Sequence, residues 1–80
     1  MQKREIAQRL DATGLLCPLP VLKIRKRLTH LNPGELLEVM TDDAAALVDV
    51  PHFCNENEHT VVSQRDEGDS MVFLIRKGKS

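Results

Sequence analysis

Pro18-Leu19-Pro20-Val21-Leu22-Lys23-Ile24-Arg25-Lys26-Arg27-Leu28-Thr29-His30-Leu31 is the stretch whose reading decides the fold. Val21, Ile24, Leu28 and Leu31 recur at three- and four-residue steps, while Lys23, Lys26, Arg27 and His30 fall on the opposite side. That is the spacing of an amphipathic helix. Pro18 suits its first turn, where a missing N–H has no intrahelical partner and a fixed φ is already helical, so the helix is expected to start right after Cys17.

Upstream, Ile6, Gln8 and Leu10 alternate with Ala7 and Arg9, which predicts a strand from roughly Glu5 to Asp11, closed by a turn at Gly14. Downstream, Asn32-Pro33-Gly34 supplies turn chemistry, and Glu35 to Thr41 alternates as a second strand with Leu37 and Val39 on one face. Asp42 or Asp43 can cap a second helix through Ala44-Ala45-Ala46, which Pro51 should kink or restart, with Leu47, Val50 and Cys54 keeping one phase. His59 to Arg65 and Ser70 to Lys77 read as two strands joined by Asp66-Glu67-Gly68-Asp69, an antiparallel hairpin. The order β-α-β-α-β-β makes the first βαβ unit parallel and predicts an α/β (α+β) two-layer sandwich: a mixed four-stranded sheet with two helices on one face.

Eighty residues and 9.0 kDa leave room for a single domain spanning 1–80. At this size folding buries only about 60–65% of the surface that the unfolded chain exposes, so the core must be thin. Two Phe and no Trp or Tyr leave Leu, Val and Ile to fill it. Eleven Lys plus Arg against twelve Asp plus Glu give a formal charge of −1, which excludes a strongly basic, sequence-independent nucleic-acid binder. The N-terminal Met1 to Arg9 has no apolar core of a signal peptide, and no apolar run approaches the roughly 20 residues of a membrane span. Cys17 and Cys54 are too few for a disulfide-stapled miniprotein and lack zinc-ribbon spacing, so a cytoplasmic chain with free thiols is expected.

The chemistry concentrates in Asp11-Ala12-Thr13-Gly14-Leu15-Leu16-Cys17-Pro18-Leu19-Pro20. A cysteine feeding a helix N-terminus faces free N–H groups and the positive end of the macrodipole, which favour the nucleophilic thiolate and are expected to lower its pKa. Pro18 and Pro20 stiffen the first turn, and Gly14 permits the close turn leading in. The plainer reading makes Cys17 a small buried hydrophobe at a loop–helix junction.

Asp11-x-x-Gly14-x-x-Cys17-Pro18-x-Pro20 resembles the signature of the TusA/SirA family of small sulfur carriers. The similarity extends to Asn32-Pro33-Gly34-Glu35, Thr41-Asp42-Asp43, Asp49-Val50-Pro51-His52-Phe53-Cys54, Glu58-His59 and Leu74-Ile75-Arg76-Lys77-Gly78. The resemblance implies a sulfurtransferase in which Cys17 accepts sulfane sulfur as a persulfide, without metal or organic cofactor. It implies a cysteine desulfurase or other persulfide donor, a downstream sulfur-relay protein, and a pathway towards tRNA 2-thiouridine in which any tRNA contact is indirect. Relatives that serve sulfur oxidation or molybdenum-cofactor enzymes make those alternatives. Leu19 departs from the acidic residue frequent between the two prolines, which bears on the partner more than on the chemistry.

Arg25 lies beside the apolar face of its helix and corresponds to a basic family position; it is expected at a docking edge or in a surface salt bridge. Leu19 and Asp43 are further candidates for partner contact. Cys54 is assigned to the core by its phase. His52, Cys54 and His59 lack metal-ligand spacing, and His59 reads as structural or exposed before it reads as a base for Cys17. The basic stripe, without interleaved aromatics, is expected to be a solvated helix face before a tRNA contact. Asp42 and Asp43, adjacent at a turn, suit capping better than paired acid–base work. A regulatory protein-interaction module with an incidental thiol is the alternative of a different class. A thiol–disulfide oxidoreductase is weaker, because Cys17 has no resolving cysteine in a C-x-x-C arrangement.

Overall fold

The computed structural model describes residues 6–79. The elements follow the expected order: β1 (Ile6–Asp11), α1 (Leu19–Leu28), β2 (Leu36–Thr41), α2 (Ala46–Glu56), β3 (Thr60–Asp66) and β4 (Met71–Arg76). Glu5, placed in the first strand by the sequence, lies outside the described residues.

The strands form one sheet in the order β1-β2-β4-β3. β1 runs parallel to β2, while β4 is antiparallel to both β2 and β3. Leu10 pairs with Val39, Val39 with Phe73, and Leu37 with Ile75. Because side chains alternate along a strand, this register puts all five on one face. There they join Ile24 and Leu28 of α1 and Val50, Phe53 and Cys54 of α2 in one hydrophobic cluster. Arg9 and Glu38, one register step away, form an ion pair of 2.9 Å on the other side of the sheet.

Local chemistry explains the turns. Pro33 and Gly34 occupy the middle of a turn closed by Glu35 N–H donating to the Asn32 carbonyl at 3.0 Å, and Gly34 takes the φ of 91° that a type II turn requires there. Lys77 reaches from beyond β4 to donate from Nζ to the Leu28 carbonyl at 2.7 Å, satisfying the open C-terminal end of α1. The C-terminus of α2 closes in a Schellman arrangement: His59 N–H donates to the Cys54 carbonyl at 2.8 Å, with Glu58 at φ 65°.

Several local expectations need correction. α1 begins at Leu19, with Pro18 at the N-cap and Pro20 in the first turn, one residue later than the proline pattern suggested. α2 begins at Ala46 and continues through Pro51 as one helix without a restart. The buried phase of α2 is Ala46, Val50, Phe53 and Cys54, whereas Leu47 is 45% exposed. Only one helical turn precedes Pro51, so the helix surrenders a single interior hydrogen bond there while the apolar face on both sides stays packed. Arg27 does not belong to a fully solvated stripe; its Nη1 donates to Gln8 Oε1 at 3.3 Å and to the Arg9 carbonyl at 3.2 Å.

Candidate functional site

β1 and β2 are parallel, so the loops that leave their C-terminal ends emerge side by side. The β1–α1 loop carries Cys17 and the β2–α2 loop carries Asp42 and Asp43. Ala12 N–H continues the strand pairing by donating to the Met40 carbonyl at 2.7 Å. Asp11 then turns the chain: its Oδ1 accepts Thr13 N–H at 3.0 Å and Thr13 Oγ1 at 2.6 Å, and these two bonds hold its carboxyl below the ordinary value. Gly14 follows at φ 82°, a left-handed conformation that glycine adopts without steric cost.

Asp42 and Asp43 fasten this loop. Asp42 Oδ1 accepts Gly14 N–H at 3.0 Å, and Asp43 Oδ2 accepts Cys17 N–H at 2.6 Å. Asp43 Oδ1 accepts Ala45 N–H at 3.1 Å, so that carboxylate bridges two loops. This corrects the capping expectation: the N-cap position of α2 is Ala45, which has no side-chain cap bond, because the Asp42 and Asp43 carboxylates are turned to the loop N–H groups of Gly14, Cys17 and Ala45. Sequence reading missed the bridge. The signal available to it was topological: an Asp pair directly after the second strand of a parallel βαβ unit must lie beside the loop after the first.

Cys17 is a free, exposed thiol, and the Cys17–Pro18 peptide is cis. It opens onto a cleft of about 490 Å³ between the two helices, with Cys17, Val21 and Arg25 on one side and Asp49, His52 and Phe53 on the other. The Arg25 guanidinium sits over the Phe53 ring, 5.6 Å from its centroid, an arrangement that pins a cation at the cleft by its attraction to the aromatic face. Leu16 (70% exposed), Leu19 (46%) and Val48 (71%) form apolar shoulders next in sequence to the cleft residues. Leu19 and Arg25 are therefore both exposed near Cys17, while Pro20 is buried.

The electrostatics reverse the expected lowering of the Cys17 pKa. Hydrogen bonding to the Asp49 carboxylate, burial, and the negative charges of Asp49 and Asp43 together raise it above the ordinary cysteine value. Cys17 also stands two residues before the first helical residue of α1, outside the turn whose N–H groups would have favoured a thiolate. Asp49 is a residue that sequence reading did not single out.

Cys54 is buried in the core as its phase required, and desolvation pushes its thiol up to about 11. His59 is not in the Cys17 cleft; its Nδ1 accepts Gly78 N–H at 2.9 Å, and its ring lies 5.8 Å from Phe53 on the far side from the thiol. Among the described residues no group of three or more His, Cys, Asp or Glu side chains is placed to hold a metal ion, and no helix is long and apolar enough to cross a membrane.

The fold is shared with the crystal structure of a SirA-like protein from Desulfitobacterium hafniense, at a TM-score of 0.78 and 20% identity over 90% of this chain and 99% of that one. Residues 8–77 match the family described as Sulfurtransferase TusA, a span that takes in the Asp11–Pro20 loop, the Asp42–Asp43 bridge and both walls of the cleft. The chain belongs to the TusA sulfurtransferase family.

Proposed function

We propose that this protein is a sulfur carrier in which Cys17 is the sulfur acceptor and the 80 residues act as one carrier domain in the cytoplasm. The observation that supports it most directly is the position of Cys17: an exposed thiol at the mouth of an open cleft, in a chain of the TusA sulfurtransferase family. A shallow, open site flanked by exposed leucines suits contact with another protein's reactive cysteine better than enclosure of a small substrate.

The transfer is a thiol exchange. Cys17 loses its proton, and its sulfur attacks the terminal sulfur of a donor persulfide. The new Cys17 S–S bond forms as the donor S–S bond breaks, and the donor cysteine leaves as a thiolate that takes up one proton. Sulfane sulfur moves without an external oxidant or reductant. The carrier then presents Cys17–S–SH to an acceptor thiol, which repeats the exchange in the onward direction. A cysteine desulfurase is the donor we favour and a sulfur-relay protein leading towards tRNA 2-thiouridine the acceptor; sulfur oxidation and molybdenum-cofactor enzymes are the alternative destinations. Asp11, Gly14, Pro18 and Pro20 shape the loop, and Leu19, Arg25 and Asp43 lie where a docked partner would meet it.

Incubation with an active cysteine desulfurase and cysteine, followed by intact mass and peptide mapping without reductant, tests the reading. One added sulfur on the Cys17 peptide is expected, lost in Cys17→Ser and retained in Cys54→Ser. Equal loading of both variants overturns the assignment of Cys17, and loading of neither, beside an active desulfurase, favours another donor or an interaction module.

A further inference from the structure

The Cys17 cleft adjoins a second cavity of about 410 Å³, the two sharing Arg25, Phe53 and Asn57 in their walls. Their charges differ. The carboxylates of Asp49 and Glu56 line the Cys17 cleft, whereas among the described residues the second cavity is lined by Arg25, Lys77 and His59 and by no carboxylate. Three segments bring these groups together: Arg25 comes from α1, His59 from the turn after α2 and Lys77 from the chain leaving β4. Among the described residues the Arg25 guanidinium makes no ion pair and rests on the Phe53 ring. Lys77 likewise meets no carboxylate there, and its ammonium spends one of its three protons on the Leu28 carbonyl. Nδ1 of His59 accepts Gly78 N–H, so the neutral ring carries its proton on Nε2, a third donor. Thr29 lines the same cavity but gives its hydroxyl proton to the Lys26 carbonyl, and so adds none.

Helix ends account for only part of this charge. α1 and α2 both finish beside the cavity, at Leu28 and the cap residue Asn57, and about half a negative charge at each C-terminus offsets about one of the two cations. The other is uncompensated within the cavity, in a chain whose formal charge is −1. Glu58, beside His59 in the chain, is exposed and outside the lining. We propose that this cavity is a binding site for a phosphate monoester, separate from the sulfur site. A planar carboxylate is matched by a guanidinium alone, whereas donors arriving from three segments suit a tetrahedral group whose oxygens point in different directions. The roughly two negative charges of a phosphate monoester at neutral pH meet the two cations. Leu28 and Phe53 add an apolar wall in a space larger than the anion, which fits the organic part of the ester. Because Arg25 lines both cavities, a bound phosphate also neutralises one cation at the edge of the Cys17 cleft.

The test is titration of the nitrogen-15-labelled full chain with phenyl phosphate, with inorganic phosphate and with a short Asp/Glu peptide, at fixed ionic strength in chloride. It needs no sulfur donor and does not rely on Cys17 being a sulfur acceptor. Phenyl phosphate should saturate, with the largest shifts at the amides of Thr29, His59 and Lys77 and at Arg25 Nε. Inorganic phosphate should bind the same groups more weakly. Arg25→Gln and Lys77→Gln should each weaken binding about tenfold, the loss of one charge-assisted bond. Glutamine at 77 keeps an N–H for the Leu28 carbonyl, and melting temperatures of the free variants check that they fold. Lys23→Gln, which removes an exposed cation outside the cavity, should bind as the native chain does. Weakening in Lys23→Gln equal to that in Arg25→Gln reduces the effect to general charge screening and overturns the site. Tighter binding of the acidic peptide at the same amides assigns the cavity to a protein carboxylate, and equal or tighter binding of the bare ion removes the ester; either overturns the proposal. Shifts in the native chain that grow without saturating also overturn it, and that arm needs no variant to fold.

Discussion

The Cys17 N–H donates to Asp43 Oδ2 across 2.6 Å, joining the loop after β1 to the loop after β2. A charged acceptor strengthens such a bond, and this one holds the backbone N–H of the residue that carries the sulfur. The place of the thiol is therefore set from the neighbouring loop as much as by its own prolines.

Asp43→Ala removes both that bond and the one to Ala45. We expect a loss of about 1–2 kcal/mol in stability by urea denaturation, since each bond is partly open to water, together with slower sulfur loading of Cys17. Asp43→Asn, which keeps an acceptor oxygen, should recover most of the stability. A loading rate unchanged in Asp43→Ala would show that the loop holds its shape without the bridge.

Burial and the Lys77 charge hold the His59 imidazole below its ordinary pKa, against a smaller opposing effect of Glu58. The folded value thus lies under the unfolded one, so on acidification the unfolded chain binds the proton first. The stability contributed by this group is complete above the unfolded value of about 6.5 and is lost as pH falls through the folded pKa, when Nδ1 can no longer accept Gly78 N–H. Urea midpoints measured between about pH 7.5 and 5 should fall with acidification in the native protein and fall less in His59→Gln, whose side chain does not titrate. Parallel slopes would remove His59 from the account.

Glu58 and Gly78 lie against each other where the C-terminus of α2 meets the chain leaving β4, and they make opposite demands. Glu58 holds φ at 65°, a conformation that costs a side chain about 1 kcal/mol and glycine nothing. At Gly78 a Cβ would overlap the Glu58 carbonyl, so glycine is required there by space. Glu58→Gly should raise the melting temperature by a few degrees, and Gly78→Ala should lower it by more, at a cost of about 1–3 kcal/mol from overpacking. Calorimetry on the two variants checks the signs.

The element order was readable because the chain changes period cleanly: Val21, Ile24, Leu28 and Leu31 cannot all face one way in a strand, nor Leu37 and Val39 with Glu38 between them in a helix. Two local rules misled at the helix starts. Pro18 reads equally well as N-cap or first helical residue, and the Ala44–Ala46 run carries helix propensity while its backbone spends two residues turning away from Asp43. At the site, the thiol was legible and its ionisation was not. The macrodipole argument needs only the sequence neighbours of Cys17, whereas the carboxylates that outweigh it arrive from residues 26 and 32 positions further on. Asp49 sits in a helix start where an acidic residue is ordinary, so nothing in the one-dimensional pattern marks it out.

The parallel pairing of β1 with β2 also bears on how such a carrier can be re-engineered. The residues that present the sulfur, 11–20, and those that brace them, 42–49, lie at one end of the sheet, and the core residues Leu37, Val39, Phe73 and Ile75 belong to neither segment. Each segment nevertheless adds one small residue to the core, Ala12 and Ala46, so a paired exchange with another family member would keep the hydrophobic layer only where both positions stay small. The Asp43 bridge joins a side chain of one segment to a backbone N–H of the other, so either segment exchanged singly keeps the bridge only where the new loop brings that N–H within reach of the carboxylate.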